Sequence, residues 1–550
     1  MLITETPERY ILMPELSLPC RFESNVSLAA RAYYAIGGSA RFFARPESLT
    51  ALSRLLIWNR EHRLPLAVMG SGSNIIFSDE HFPGIVISLD GMQRMCWLSE
   101  SELFCEAGVD NTLIAEELLK SAKSGGEWLY RLPGQIGSTV RMNARCFGGE
   151  VSALTSGVLT VSVDGLMRWQ TPEEVFYGYK HTSLMQSPEI VVGVVLRVPT
   201  MNTTDEIGRK MREYESERIR KHHFDYPSCG SAFKNNYDAG RSSGRIFEEL
   251  GFKGMTEGGA MVSEHHANFI YNTGGATAAD VLRLAAKMKA AALEKAQVEL
   301  ELEVQCIGLF DRELLASCSV DSVADSRDPA KAWAGLLWYP EEKDKELIAP
   351  RFPRLLLHGP LVGYSGLDME FPAGIFVKIE QLQSLKGAAA DPEAPFLRWT
   401  TIKSDSPLFA LKPPRSDTAG AFTDGLWQYG VSELFIGEGD SGSRYLEFET
   451  TPDGDWVALR FDQPRKRAEG YLELSGEPWQ KRVSRVNDAG RFGMEFSLEL
   501  LKPFIAEGVL SMQCAASTGG GSYGLFPWWG SPSSPADFHQ PDQFYLVTLF

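Results

Sequence analysis

In the stretch YPSCGSAFKNN, residues 226–236, one of the two serines, Ser231, is followed closely by Lys234 and Asn235. A serine there is either a turn residue or a proton donor. Local composition favours the turn, because Gly230 and the Pro227–Ser228 pair are loop punctuation. Glu303 lies in VELELEV, residues 298–304, whose strict alternation puts Val298, Leu300, Leu302 and Val304 on one face and Glu299, Glu301 and Glu303 on the other. That pattern predicts a half-buried strand and, for Glu303, either a solvated face or a carboxylate with work to do. Lys180 in YGYKHT reads locally as an ordinary exposed lysine. His265 and His266 are adjacent rather than at ligand spacing, so no metal is assigned.

The elements that must position these groups alternate between strands and helices over residues 21–308. LPLAVMG (64–70) and GIVISL (84–89) read as short buried strands and TLIAEELLKSA (112–122) as an amphipathic helix. A second helix is predicted to start at Thr277, with Asp280 completing a capping box and Val281, Leu284, Ala285 and Met288 at helical spacing. Three glycine clusters, IGGSARF (36–42), MGSGSNIIFSD (69–79) and LPGQIGSTVRMN (132–143), sit beside these elements, where absent side chains let backbone N–H groups approach an anion such as a pyrophosphate. None is a dinucleotide-fold or P-loop motif.

The whole chain is consistent with a soluble, multi-domain protein. Its 550 residues exceed one ordinary core, and 44% hydrophobic with 23% charged residues is a globular profile. A net charge of -17 argues against a nucleic-acid partner. The eight cysteines show no CxxC pair and read as reduced thiols of a cytoplasmic protein. The N-terminus is a poor signal peptide, and no stretch has the length of a membrane span.

Taken in order, IGGSARFFARP, MGSGSNIIFSD, LPGQIGSTVRMNARCFGGE, FYGYKHTS, RIRKHHFDYPSCGSAFKNN, GRIFEELGFKGMTEGGAMVSEHHANFIYN, ATAADV and LELEVQCIG resemble the UDP-N-acetylenolpyruvoylglucosamine reductases, flavoenzymes of peptidoglycan precursor synthesis and so of cell-wall biogenesis, cell shape and division. The resemblance implies an α+β fold. After an N-terminal extension (1–20), residues 21–205 would form a two-part FAD-binding domain of the vanillyl-alcohol-oxidase type and 206–309 an α/β substrate-binding domain. The cofactor would be FAD and the co-substrate NADPH. Residues implied to hold FAD are Gly70, Ser71, Gly72, Ser73, Asn74, Pro133, Gly134, Ile136, Gly137, Ser138 and Asn143. Tyr179, Lys234, Asn235, His266 and Asn268 would touch the UDP-sugar. RIRKHH (218–223) would attract its diphosphate, or is simply a charged helix end.

Reducing an enol ether that carries a carboxylate requires hydride at the vinyl carbon, a cation or donor for the enolate that develops, and an acid to protonate the carbon beside the carboxylate. By the resemblance Ser231 matches the proton donor and Glu303 the active-site glutamate. Lys180 stands where the family usually has arginine, so a point charge replaces a planar fork. Arg145 stands where the family has glycine, Asn236 for the usual proline, and Tyr33 where threonine is common. The alternative is a catalytically impaired flavin- or nucleotide-sugar-binding protein.

From about residue 310 the texture changes. DRELLASCSVDSVADSRDPAKAW is polar and weakly patterned, so 310–349 reads as a linker. Beyond it come short strand-like runs such as YLEFET and WVALRF around the turn TPDG. GLWQYGVSELFIG, YLEFETTPDGDW and DFHQPDQFYLVTL resemble an all-β, family-nine-type carbohydrate-binding-like sandwich over 350–550. Eight of the twelve tryptophans lie beyond residue 310. Trp427, Trp456, Trp528 and Trp529 either stack on sugar rings or fill the core, and His539 has no evident partner as a haem ligand. The expectation is a scaffold or interaction module that binds a glycan or a protein.

Overall fold

The computed structural model describes residues 20, 22–163, 165 and 167–337, then 354–360, 362–363, 376–382, 396–402, 426–438, 443–467, 483–488, 491–505, 509–517, 523–526 and 544–548. Its first sheet orders Phe22–Ser27, Ser39–Ala44, Phe82–Ser88 and Leu66–Met69, with the last three parallel. The helix Leu49–His62 makes the crossover that a parallel pair requires, and Ser48 caps it through a bond from Ala51 N to its Oγ (3.1 Å). Both predicted strands are present, and Leu66, Ile85 and Ile87 are wholly buried, as strands covered on both faces must be.

An antiparallel sheet follows, in the order Met167–Gln170, Thr155–Ser162, Glu189–Arg197, Glu102–Glu106 and Met95–Trp97. The predicted amphipathic helix is Asn111–Lys120, capped by Asp110. A third sheet orders Ser228–Ser231, Phe269–Asn272, Ala260–Val262 and Thr256–Glu257. The long helix Ala278–Ala296 packs over it and begins with the expected capping box of Thr277 and Asp280. The structure thus mixes helices and sheets as an α+β fold does.

Two expectations are corrected here. VELELEV is extended and its apolar side chains are buried, yet only Leu302 forms a bridge, to Phe233. The regular strand begins afterwards, at Gln305, and runs to Asp311. Nor is the stretch from 310 a linker over its described part. Asp311 caps a helix, Arg312–Ser317, and Lys331–Ala334 pairs with Gln305–Asp311. A capping aspartate and a four-residue paired strand need few apolar residues, which is why composition read as a linker.

The described residues from Arg354 onward form two antiparallel sheets and two short 3₁₀ helices. Val377, Ile379, Leu397 and Trp399 of one sheet share a buried cluster with Leu434, Leu446 and Phe448 of the other. The predicted hairpin is present, with Thr450 opposite Trp456. On the same sheet Glu433, Glu447 and Glu449 are buried together. Burial raises each of their carboxyls, and Glu433 and Glu449 are pushed up further by the neighbouring carboxylates. This part is seated on the helix Leu49–His62, where Ile57 meets Val509 and Arg54 Nη2 donates to Phe544 O (3.5 Å), and on the turn beside it, where Tyr545 OH donates to Gly165 O (3.2 Å). Trp456 is buried, whereas the Trp427 side chain, Trp528, Trp529 and His539 lie outside the described residues.

Candidate active site

Two of the three glycine clusters lie against each other. A Cβ at Gly70 would come within 2.6 Å of Gln135 Oε1, and one at Gly134, where φ is +123°, within 3.0 Å of Ser73 Oγ. Ser73 Oγ donates to Pro133 O (3.3 Å), tying the two loops together. The N–H groups of Ser71, Gly72 and Ser73 have no carbonyl acceptor among the described residues. Two buried polar atoms here also lack a partner, Ser71 Oγ and Gln135 Oε1, and so does Asn143 Oδ1 at the hairpin that follows the second loop. Buried polar atoms are rarely left unpaired, so a backbone cradle with this many open donors and acceptors fits a polar, phosphate-bearing dinucleotide such as FAD.

Other residues in these loops are already engaged. Ile136 N donates to Val109 O (2.9 Å) and Gly137 N to Ala107 O (2.9 Å), so their amides hold the loop against the core. Ser138 Oγ donates to Gln135 O (2.8 Å). Gln135 was passed over in the sequence although it lies inside the same PGQIGS run, and position in that run is the signal that would have found it. The cluster IGGSARF serves packing instead: a Cβ at Gly38 would press on the Asp79 and Glu80 carbonyls at 2.5 and 2.4 Å.

The reacting groups come from three separate stretches. Lys180 ends the tight connection between Phe176–Gly178 and His181–Thr182, in the left-handed region at φ +53°. Asn143 supports that hairpin by donating from Nδ2 to Gly178 O (2.9 Å). Lys180 Nζ bonds Glu303 Oε1 at 2.5 Å, and with side chains only 10% and 12% exposed this is a nearly buried ion pair. Glu303 is fixed from both sides. Its N–H donates to Ala232 O (2.8 Å), and its carbonyl accepts from Asn74 Nδ2 (3.2 Å) in the nucleotide loop. The parallel pairing of Gln305 with Ile75 sets that register.

Ser231 ends the strand Ser228–Ser231 opposite Phe269, one residue before the Ala232 that binds Glu303. Its hydroxyl has no hydrogen bond to another described residue. Gly230, at φ +71°, makes the local kink that a side chain would resist. Lys234 is tied to Glu301 through both its backbone N–H and its ammonium. Asn235 Oδ1 accepts from Ser243 N (2.9 Å). Tyr179, beside Lys180, has its hydroxyl pushed up to about 12, first by burial and then by the Glu303 charge, and so stays protonated.

The Asn268 side chain is engaged within the protein. Its amide accepts from Phe233 N (3.0 Å) and donates to Phe233 O (2.8 Å), clamping the segment that carries Ser231. His266 packs against Phe269 and faces the ring of His223 edge to face. Burial lowers His266 to about 4 and His223 to about 3, so both rings are neutral at pH 7. For such groups the unfolded chain takes up protons below about 6.5 while the folded protein does not. Stability is therefore expected to fall as pH drops from about 6.5 toward 4, and His223→Gln should flatten that slope in denaturant titrations read by tryptophan fluorescence.

Comparison with known proteins gives this arrangement its relatives. The chain matches the FAD binding domain family over residues 40–169 and the family described as UDP-N-acetylenolpyruvoylglucosamine reductase, C-terminal domain, over 222–307. A UDP-N-acetylenolpyruvoylglucosamine reductase of Acaryochloris marina is 32% identical over 292 residues, covering 53% of this chain and 94% of the relative. That of Carboxydothermus hydrogenoformans is 34% identical over 286 residues, 52% of this chain and 93% of the relative. The solved reductase of Thermus caldophilus aligns at 32% identity with a TM-score of 0.45, covering 52% of this chain and 98% of that one.

Proposed function

Because the chain belongs to the UDP-N-acetylenolpyruvoylglucosamine reductase family, we propose that it reduces UDP-N-acetylglucosamine enolpyruvate to UDP-N-acetylmuramate, with FAD as cofactor and NADPH as hydride source. It is a flavoprotein oxidoreductase of peptidoglycan precursor synthesis. Ser71, Gly72, Ser73, Asn74, Gly134 and Asn143 would hold FAD, with Gln135 added to the set the sequence suggested. When bound, FAD supplies the hydride that NADPH has given it.

The chain's own residues do the rest. One N–H of the Lys180 ammonium is spent on Glu303, leaving two for the substrate carboxylate, where charge accumulates as the enolate forms. Ser231 Oγ–H gives its proton to the carbon beside that carboxylate, and the alkoxide left behind is stabilised by the same cation before solvent reprotonates it. Tyr179, kept neutral, donates to a substrate oxygen. Asn268 acts at one remove, by locking the Phe233 peptide. The observation that carries this reading is the double anchoring of Glu303, to the nucleotide loop through Asn74 and to the Ser231 segment through Ala232.

The purified protein is expected to be yellow, to bleach with NADPH, and to regain its colour when the enolpyruvyl substrate is added. A protein that bleaches and stays bleached with substrate present would instead support the impaired-binder reading.

For the C-terminal sheets we propose a scaffold role, supported by the way Phe544 and Tyr545 grip Arg54 and Gly165. The glycan ligand suggested for it gets no support from Trp456, which is core. A reducing, cytoplasmic setting is supported by the eight free cysteines. No helix of the described residues is long and apolar enough to cross a membrane.

A further inference from the structure

The proposed reaction brings two anionic nucleotides to one site, yet most cations of this half of the chain named below already have a partner. Lys180 is held by Glu303 and Lys234 by Glu301. Arg241 and Arg245 share Glu249, and Lys221, at 3.0 Å, shares Glu217 with Arg220. Arg218 is buried, its guanidinium bonded to Trp128 O (2.9 Å) and Cys146 Sγ (3.3 Å). In a chain of net charge -17, a diphosphate approaching this surface is best met by an exposed cation whose donors no carboxylate already holds.

Arg145 meets that need. It lies exposed on the short hairpin Arg145–Cys146 with Gly149–Glu150, and it has no carboxylate partner among the described residues. Its guanidinium sits over the Tyr237 ring, 6.0 Å from the centroid. Tyr237 is 60% exposed, and its ring meets that of Tyr179 edge to face at 4.9 Å, next to the Lys180–Glu303 pair. A ring beneath a guanidinium orders it while leaving its N–H fork free for phosphate oxygens.

A second departure from the family pattern converges on the same ring. Asn236 caps the 3₁₀ turn Tyr237–Ala239 by accepting from Asp238 N (3.1 Å), and its Nδ2 donates to Glu299 O (3.2 Å). Neither bond is open to proline. Asn236 therefore holds Tyr237 where Arg145 can rest on it.

Building on the reductase reading, we propose that Arg145, seated on Tyr237, is a specificity-determining residue that binds nucleotide phosphates at the mouth of the site. The diphosphate of the nucleotide sugar and the phosphates of NADPH share that chemistry. Initial rates of the flavin-loaded full-length Arg145→Gly protein, with each substrate varied in turn, separate the two sources.

Loss of one charge-assisted phosphate contact should raise KM about tenfold for the nucleotide it serves, with kcat lowered less than about threefold. Arg145→Lys should recover part of the loss, and Tyr237→Ala should reproduce part of it. A rise confined to one substrate assigns the contact to that substrate, and a rise in both assigns a shared clamp. Both KM values staying within about twofold of wild type would overturn the proposal. If the wild-type protein itself fails to turn over, the reductase reading falls separately. Calorimetric titration with UDP and with NADP⁺ then decides: weaker binding of either by Arg145→Gly sustains the clamp, and unchanged binding of both removes it.

Discussion

Ser231→Ala is expected to lower kcat for the enolpyruvyl substrate by about 10³-fold, within the range seen when a positioned proton donor is lost. The two half-reactions should separate. The Ser231 hydroxyl makes no hydrogen bond to another described residue and lies outside the two glycine loops, so flavin binding and bleaching by NADPH should persist at close to the wild-type rate. Stopped-flow absorbance in the flavin band reads both steps in one experiment. Retained recovery of colour in Ser231→Ala would mean that water or Lys180 supplies the proton, and Ser231 would revert to a turn residue.

The second large effect concerns Lys180 and Glu303. Their ion pair is nearly buried, so Lys180→Met should cost about 3–5 kcal/mol of stability by stranding a carboxylate, and Glu303→Gln should strand the ammonium comparably. The double variant should be more stable than the sum of the single losses predicts, because the two residues are direct partners. Chemical denaturation of the four proteins measures this, and strict additivity would mean the pair does not interact in solution. Activity should not follow stability. The double variant regains folding but not turnover, since no cation is left for the enolate.

Much of the fold could be read from local rules. Thr277 and Asp280 announce their helix by a capping geometry that needs only four residues, and the strands at 66–69 and 82–88 announce theirs by the apolar runs LAVM and IVI. The sequence reading stops short where an outcome depends on a distant partner. VELELEV alternates as a strand does, but regular strand needs a ladder, and its neighbours supply only single bonds, from Lys234 N to Glu301 O and from Glu303 N to Ala232 O. The same holds within the site. Nothing local tells that Asn268 spends its amide on Phe233 or that Gln135 is left with an open acceptor, because both facts arise across 35 residues or between two loops. The Lys180–Glu303 pair spans 123 positions. Family resemblance could nominate both residues, but only the fold could bring them together.

The seating of the C-terminal sheets on the helix Leu49–His62 sets an order of events during synthesis. Arg54 and its acceptor Phe544 are 490 positions apart. At about 5–20 residues per second, the helix emerges roughly 25–100 s before the strand that covers it. For that interval the Ile57 side of the helix faces water or a chaperone, and the amino-terminal half has to hold its shape with one flank bare. The strand Tyr545–Thr548, made long after that helix, is the one that closes it.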